Sequence, residues 1–303
     1  MRVLVTGAAG FIGSNLIFAL EKRGDTVLAM DDLSVGVTEN LAGFKGTFIR
    51  GDIRLFSYES LGKVDAIFHS AAVTDTTVTD KKQMFSVNVE ATSRILEYAK
   101  RTGCRKVVYA SSAATYGKGD VPMRETQLPA PANLYGESKV EMDRLAMDFG
   151  KRNPEISVIG LRYFNVYGPG ETHKKKASSM IYQLYRQIAS GAKPRVFKWG
   201  EQFRDFIYVK DVIQANLKAS QRQGTYLFNV GTGVPTTFNQ VIETLNSILD
   251  YHAPTEYFDN PYSFYQEKTL ADTLLARQLL GFEIEYASPK GIEDYVRTLQ
   301  SKT

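Results

Sequence analysis

Tyr135 and Lys139 stand four residues apart in Leu134-Tyr135-Gly136-Glu137-Ser138-Lys139, so on a helix they share one face. A phenol titrates near pH ~10 and needs help to act as a base at neutral pH. A neighbouring ammonium gives that help by stabilising the phenolate. Upstream, the apolar run 105–111 ends in Ser111-Ser112, and Ser112 would hold a substrate oxygen between its own hydroxyl and the phenol. Such a trio suits proton removal from a carbinol as a hydride leaves the same carbon. Tyr-x-x-x-Lys by itself is a common solvated helix face, so its meaning depends on the elements that position it.

The first of those elements points to the hydride acceptor. Val3-Leu4-Val5 reads as a buried parallel strand, followed by Gly7, Gly10 and Gly13 at three-residue spacing and a helical pattern over 11–22. Strand, glycine turn and helix in that order are the context of a dinucleotide fingerprint. Gly7 would permit the tight turn, Gly10 the close approach of a pyrophosphate, and Gly13 tight helix packing. A second strand, 26–30, ends at Asp31, whose carboxylate would accept the adenosine ribose hydroxyls and repel a 2′-phosphate. A third, 47–49, leads into Gly51-Asp52-Ile53, placing Asp52 toward the adenine edge. A fourth, 65–69, runs into Ser70-Ala71-Ala72, small residues beside which a cofactor can lie.

The totals set outer limits. At 303 residues, 43% hydrophobic and 23% charged, the composition is that of an ordinary globular protein with ample core. A net charge of +4, without an arginine-rich face, argues against nucleic acid as a partner. No apolar run reaches the ~18 residues of a membrane span. The three histidines (His69, His173, His252) are widely spaced, so no metal site is expected. A single cysteine, Cys104, reads as a structural or surface thiol in a reducing compartment, and the start on a core strand leaves no signal peptide. Both suggest a cytoplasmic protein.

Strand and helix keep alternating to residue 164, which predicts an α/β fold: a parallel sheet covered on both faces. Helices are expected over 85–101 and 134–149, separated by a proline-bearing irregular loop at 118–132. Beyond it, 178–190 has a helical apolar stripe, 206–209 is a short strand, and Asp211 is placed to cap a helix over 212–220. A strand at 226–230 follows, and Thr237 with Gln240 makes a capping box. The reading is a doubly wound, Rossmann-type domain over 1–166 plus about 206–233, and a smaller, mainly helical substrate lobe from 167–205 and 234–303.

These residues are where the chain resembles the extended short-chain dehydrogenase/reductase superfamily, over essentially its full length. The glycine trio, the Ser111-Ser112 strand end, Tyr135/Lys139 and Arg204-Asp205-Phe206-Ile207-Tyr208-Val209 match its nucleotide-sugar branch. That branch oxidises a sugar to a ketone on a held nicotinamide cofactor and reduces it again. Its dehydratases carry an acidic pair after the serine strand; Ala113-Ala114-Thr115-Tyr116-Gly117 has none, which points to epimerisation.

Tyr109 to Gly117, Arg162 to Pro169 and Glu171 with His173-Lys174 most resemble the ADP-glyceromanno-heptose 6-epimerases. That resemblance implies a second base, at Lys174, on the opposite face of the keto sugar. It also implies Phe11, Ile12, Asp32, Leu33, Ser34, Ile53, Asn88, Ser111, Tyr163 and Val166 along the cofactor. Thr76, Thr77, Asn165, Ser179, Arg204 and Tyr265 would hold a nucleotide-diphosphate sugar, and the superfamily's habit implies a homo-oligomer through helices 86–101 and 134–149. No lysine follows Asp31-Asp32-Leu33-Ser34, so NAD is expected over NADP.

Two other readings remain open on sequence. A UDP-glucose/UDP-galactose or UDP-uronate 4-epimerase would use Tyr135 alone for both faces, and a redox-sensing NAD(P)-binding protein would use the same sheet without turnover.

Overall fold

The computed structural model describes residues 1–261 and 266–301. The amino-terminal half runs β1 (Arg2–Thr6), α1 (Phe11–Lys22), β2 (Thr26–Asp31), β3 (Thr47–Arg50), β4 (Ala66–His69), α2 (Lys81–Phe85), α3 (Ala91–Thr102), β5 (Lys106–Ser112), α4 (Leu134–Arg152) and β6 (Ser157–Tyr163). Then come β7 (Val166–Tyr167), α5 (Met180–Ala189), β8 (Arg195–Phe197), β9 (Phe203–Arg204), β10 (Ile207–Tyr208), α6 (Val209–Ala219) and β11 (Thr225–Val230). The chain closes with β12 (Thr236–Thr237), α7 (Phe238–Leu249), β13 (Glu256–Phe258), α8 (Leu274–Leu280) and α9 (Lys290–Gln300).

Seven strands form one parallel sheet in the order β11-β6-β5-β4-β1-β2-β3. All strands therefore end on one edge, and the direction of winding reverses between β1 and β4, the place where open α/β sheets bind ligands. Side chains alternate across the sheet. Val3 and Val5 enter the core under α1 and α6, whereas Leu4 enters the core under α3 and α4. The first core continues without a break into Ile181, Leu184, Val241, Leu245, Ile292 and Val296 of α5, α7 and α9. It is the expected doubly wound Rossmann-type architecture, with β11 returning to the sheet and short two-stranded ladders (β10–β7, β12–β9, β13–β8) among the later helices.

Local chemistry explains where elements start. Asn133 accepts the N–H of Gly136 at 2.9 Å and starts α4, and the Thr237/Gln240 capping box starts α7. Two expectations are corrected. The helix foreseen over 85–101 begins at Lys81, capped by Asp80, and passes through a wide π turn at Ser86–Glu90 before α3. Asp211 does not cap α6: the helix follows β10 directly from Tyr208, which leaves Asp211 in its first turn. There its carboxylate accepts the N–H groups of Glu285 (3.0 Å) and Tyr286 (3.1 Å). Cys104 is fully buried, its thiol pushed up to about 11 by burial, which of the two expected readings leaves the structural one.

Candidate active site

The glycine loop lies between β1 and α1. Gly7 has φ +70°, and a Cβ there would stand 2.6 Å from the Ala71 nitrogen after β4. At Gly13 a Cβ would meet the Gly7 carbonyl oxygen at 2.0 Å, which keeps α1 against the loop. A Cβ at Gly10 would meet only the Gly7 carbonyl oxygen, at 3.2 Å, and otherwise fills open space. Gly10 also brings no side chain to cap α1, whose first N–H groups can take an anion.

At the end of β2, Asp31 is buried, with Oδ2 accepting the Ala9 N–H (2.9 Å) and Oδ1 the Leu33 N–H (2.8 Å). Burial pushes this carboxyl up and the two N–H bonds pull it back. Its oxygens retain lone pairs for ribose hydroxyls. This cradle fits a dinucleotide.

The other cofactor residues vary in how they are placed. Asp32 and Ser34 bond each other through the Ser34 N–H (2.9 Å) and hydroxyl (2.6 Å) in an exposed turn. Asp52 forms an ion pair with Arg54 (2.6 Å), which holds its carboxyl low, while Ile53 is buried beneath it. Ala71 and Ala72 are half-buried at the sheet edge. Asn88, fully buried on the π turn, accepts the Val73 N–H (2.8 Å) and donates to the Val73 carbonyl (3.0 Å) and Ser138 Oγ (2.9 Å). It braces the loop after β4 against α4. Tyr163 shares a hydrogen bond with Asn216, and Val166 opens β7.

The β5–β6 register sets Ser112 beside Tyr163 at the sheet edge and Ser111 beside Arg162. Ser112 Oγ accepts the Ala114 N–H at 3.1 Å, which fixes the hydroxyl where α4 presents Tyr135. Burial pushes the Tyr135 phenol up, and its hydrogen bond to Ser112 works the other way. Lys139, 2% exposed, donates from Nζ to the Ala110 carbonyl at 2.8 Å and lies 5.8 Å from the Tyr135 ring centroid. Its ammonium is pulled down to about 8 by burial, against the attraction of Asp143. Asp143 is itself held by Arg162 Nε at 2.9 Å, and the Arg162 guanidinium lies 4.7 Å from the Tyr116 ring centroid.

Where β6 leads into β7 there is a cavity of about 560 Å³, bordered by Asn165, Val166, Lys174, Ser179 and Arg204 among the expected residues. Phe197, Phe238 and Phe258 add aromatic wall. Lys174 is half-buried with Nζ 5.7 Å from the Phe11 ring centroid, whereas Lys175 and Lys176 are exposed. Burial pulls the Lys174 ammonium down and Glu171 raises it. Arg204 donates to the carbonyls of Phe203 (2.9 Å) and Glu267 (2.8 Å), and Asn165 donates to Thr269 Oγ1 (2.8 Å). Ser179 caps α5 and donates to Glu171 Oε1 at 2.8 Å.

Ser112, Tyr135 and Lys139 stand outside the wall of that cavity. Thr76 and Thr77 lie on an exposed loop, where Thr77 bonds Asp75 (2.6 Å) and not the cavity. Tyr265 lies outside the described residues. Among the described residues no cluster of His, Cys, Asp or Glu could hold a metal ion, and no helix is long and apolar enough to cross a membrane.

Residues missed in the sequence are Asp143, Glu171 as an anchor, Asn15 and Asn40. Of these only Asp143, one helical turn beyond Lys139, carried a local signal.

A family model described as the NAD dependent epimerase/dehydratase family matches residues 3–231. Similar solved structures include the ADP-L-glycero-D-manno-heptose-6-epimerase of Helicobacter pylori, at 34% identity and TM-score 0.92, over 99% of this chain and 96% of that one. The UDP-glucose 4-epimerase of Thermotoga maritima with UDP-glucose matches at 29% identity and TM-score 0.92, over 100% and 99%. The UDP-glucuronic acid 4-epimerase of Bacillus cereus, in complex with UDP-glucuronic acid and NAD, matches at 28% identity and TM-score 0.86, over 99% and 100%.

Proposed function

The chain belongs to the NAD-dependent epimerase/dehydratase family, and from that premise we propose that it inverts C6 of an ADP-glyceromanno-heptose with two bases, Tyr135 and Lys174. It is an NAD-dependent nucleotide-sugar epimerase of the extended short-chain type. NAD held over Gly7, Gly10, Gly13 and Asp31 would supply the hydride acceptor for the sugar carbinol and the donor that reduces the ketone on its other face. Residues 1–166 with about 206–233 hold the dinucleotide, and 167–205 with 234–303 hold the sugar nucleotide.

Tyr135 removes the hydroxyl proton on one face, Ser112 orients that hydroxyl, and the Lys139 charge stabilises the phenolate. Lys174 serves the other face. Arg204 at the cavity rim would meet the diphosphate, since an Arg fork matches phosphate geometry.

The observation that carries the two-base reading is the burial of Lys174: it alone of the three consecutive lysines is half-buried, against Phe11, while Lys175 is in solvent and Lys176, though it borders the same cavity, is exposed. Substituting Lys174→Met tests it. Turnover of ADP-glyceromanno-heptose should fall about 10²-fold or more, with product stereochemistry read by NMR. A UDP-hexose 4-epimerase working through Tyr135 alone would keep most of its turnover.

The enzyme is further proposed to be cytoplasmic and a homo-oligomer joined through α3 and α4, which sedimentation would show as a species larger than 33.9 kDa.

A further inference from the structure

The segment between β7 and α5 that carries Lys174 is tied to itself at its base. Glu171, fully buried, closes its base: Oε1 accepts the Gly168 N–H (3.0 Å) and the Ser179 hydroxyl (2.8 Å), and Oε2 accepts the Ser179 N–H (2.5 Å). The Lys174 N–H donates to the Glu171 carbonyl at 2.9 Å. A segment closed in this way moves as a body, so the site of Lys174 is set by what the body rests on.

It rests on the dinucleotide cradle through two carboxamides. Asn40, in the short turn after β2, donates from Nδ2 to the carbonyls of Ala9 and Gly170, both at 3.1 Å, and the same nitrogen is 3.3 Å from His173 Nδ1. Asn15 on α1 donates to the carbonyls of Phe11 (2.9 Å) and Pro169 (2.8 Å). At Gly170, φ +95°, a Cβ would meet Asn15 Nδ2 and Ser14 Oγ at 3.2 Å, so the body sits directly on α1. Ala9 lies inside the glycine loop, and its N–H is held by Asp31 at 2.9 Å. Each carboxamide thus spans from backbone that would face the dinucleotide to backbone that carries Lys174.

We propose that Asn15 and Asn40 are positioning residues for Lys174, coupling occupancy of the dinucleotide cradle to placement of the second base. The proposal rests on the two-base reading for its kinetic consequence, but the coupling itself does not. The positioning is one-sided: Tyr135 stands on α4, which neither carboxamide touches.

The test uses full-length protein with and without NAD, as wild type, Asn40→Ala and Asn15→Ala. Amide exchange of residues 170–177 should slow on adding NAD to wild type and respond less in both variants. Single-turnover oxidation of the two ADP-glyceromanno-heptose epimers, followed separately, should be slowed roughly tenfold to hundredfold in Asn40→Ala for one epimer only. No response of 170–177 to NAD in wild type overturns the proposal, as does equal slowing of both epimers in the folded variants. Full turnover in Lys174→Met, with the exchange response intact, would remove the two-base reading and leave the coupling standing.

Discussion

Burial acts in opposite directions on the two groups that share a face of α4. It pushes the Tyr135 phenol up, away from its charged form, and pulls the Lys139 ammonium down to about 8. The ammonium is therefore present below pH 8 and lost above it, and with it the support for the phenolate. The pH–rate profile should fall on its alkaline side through about 8. Asp143→Asn removes the charge that opposes the downward shift, so in that variant the fall should begin at lower pH. Tyr135→Phe should cost about 10²–10⁴-fold in turnover while bound NAD is retained, as checked by its absorbance in denatured protein. Ser112, Tyr135 and Lys139 were legible because their spacing is local, a strand end and one helical turn. Asn40 was not, because its meaning depends on a carbonyl 130 residues away.

At the scale of elements, the glycine loop could be read because a turn with positive φ and a close approach admit little else. Gly13→Ala should destabilise by about 3 kcal/mol, since a Cβ 2.0 Å from the Gly7 carbonyl forces α1 off β1. Urea titration with and without NAD would measure it, and NAD should stabilise the variant less than the parent.

His69 ends β4 fully buried, its ring between Thr6 Oγ1 (2.7 Å) and Thr92 Oγ1 (3.0 Å). Burial holds it uncharged down to about 3. The unfolded chain takes up that proton below about pH 6.5, so stability is full above 6.5 and drains away as pH falls toward 3. The loss is on the order of 5 kcal/mol at most. Melting temperature against pH should show the decline, and His69→Gln should flatten it. Element boundaries were less legible than elements: the π turn at Ser86–Glu90 leaves no periodic signature, and Asp211 looked like a cap only because β10 and α6 run on without a break.

For the whole molecule, the decisive contacts join distant parts of the chain. Asp205, fully buried, accepts N–H bonds from Thr232 (2.6 Å), Gly233 (2.9 Å) and Ala271 (3.0 Å) and the Thr232 hydroxyl (2.7 Å). Asp205→Ala strands those donors, and denaturant unfolding should register a loss of roughly 3 kcal/mol or more. The alternation of strands and helices announced the sheet, but nothing local could announce a carboxylate that gathers three loops. The first core runs from Val3 under the sheet to Val296 in α9 as one cluster. Calorimetry should therefore record a single melting event, and a fragment severed after residue 166 should come out of expression insoluble, its lower sheet face stripped of α6 and β6 missing β11.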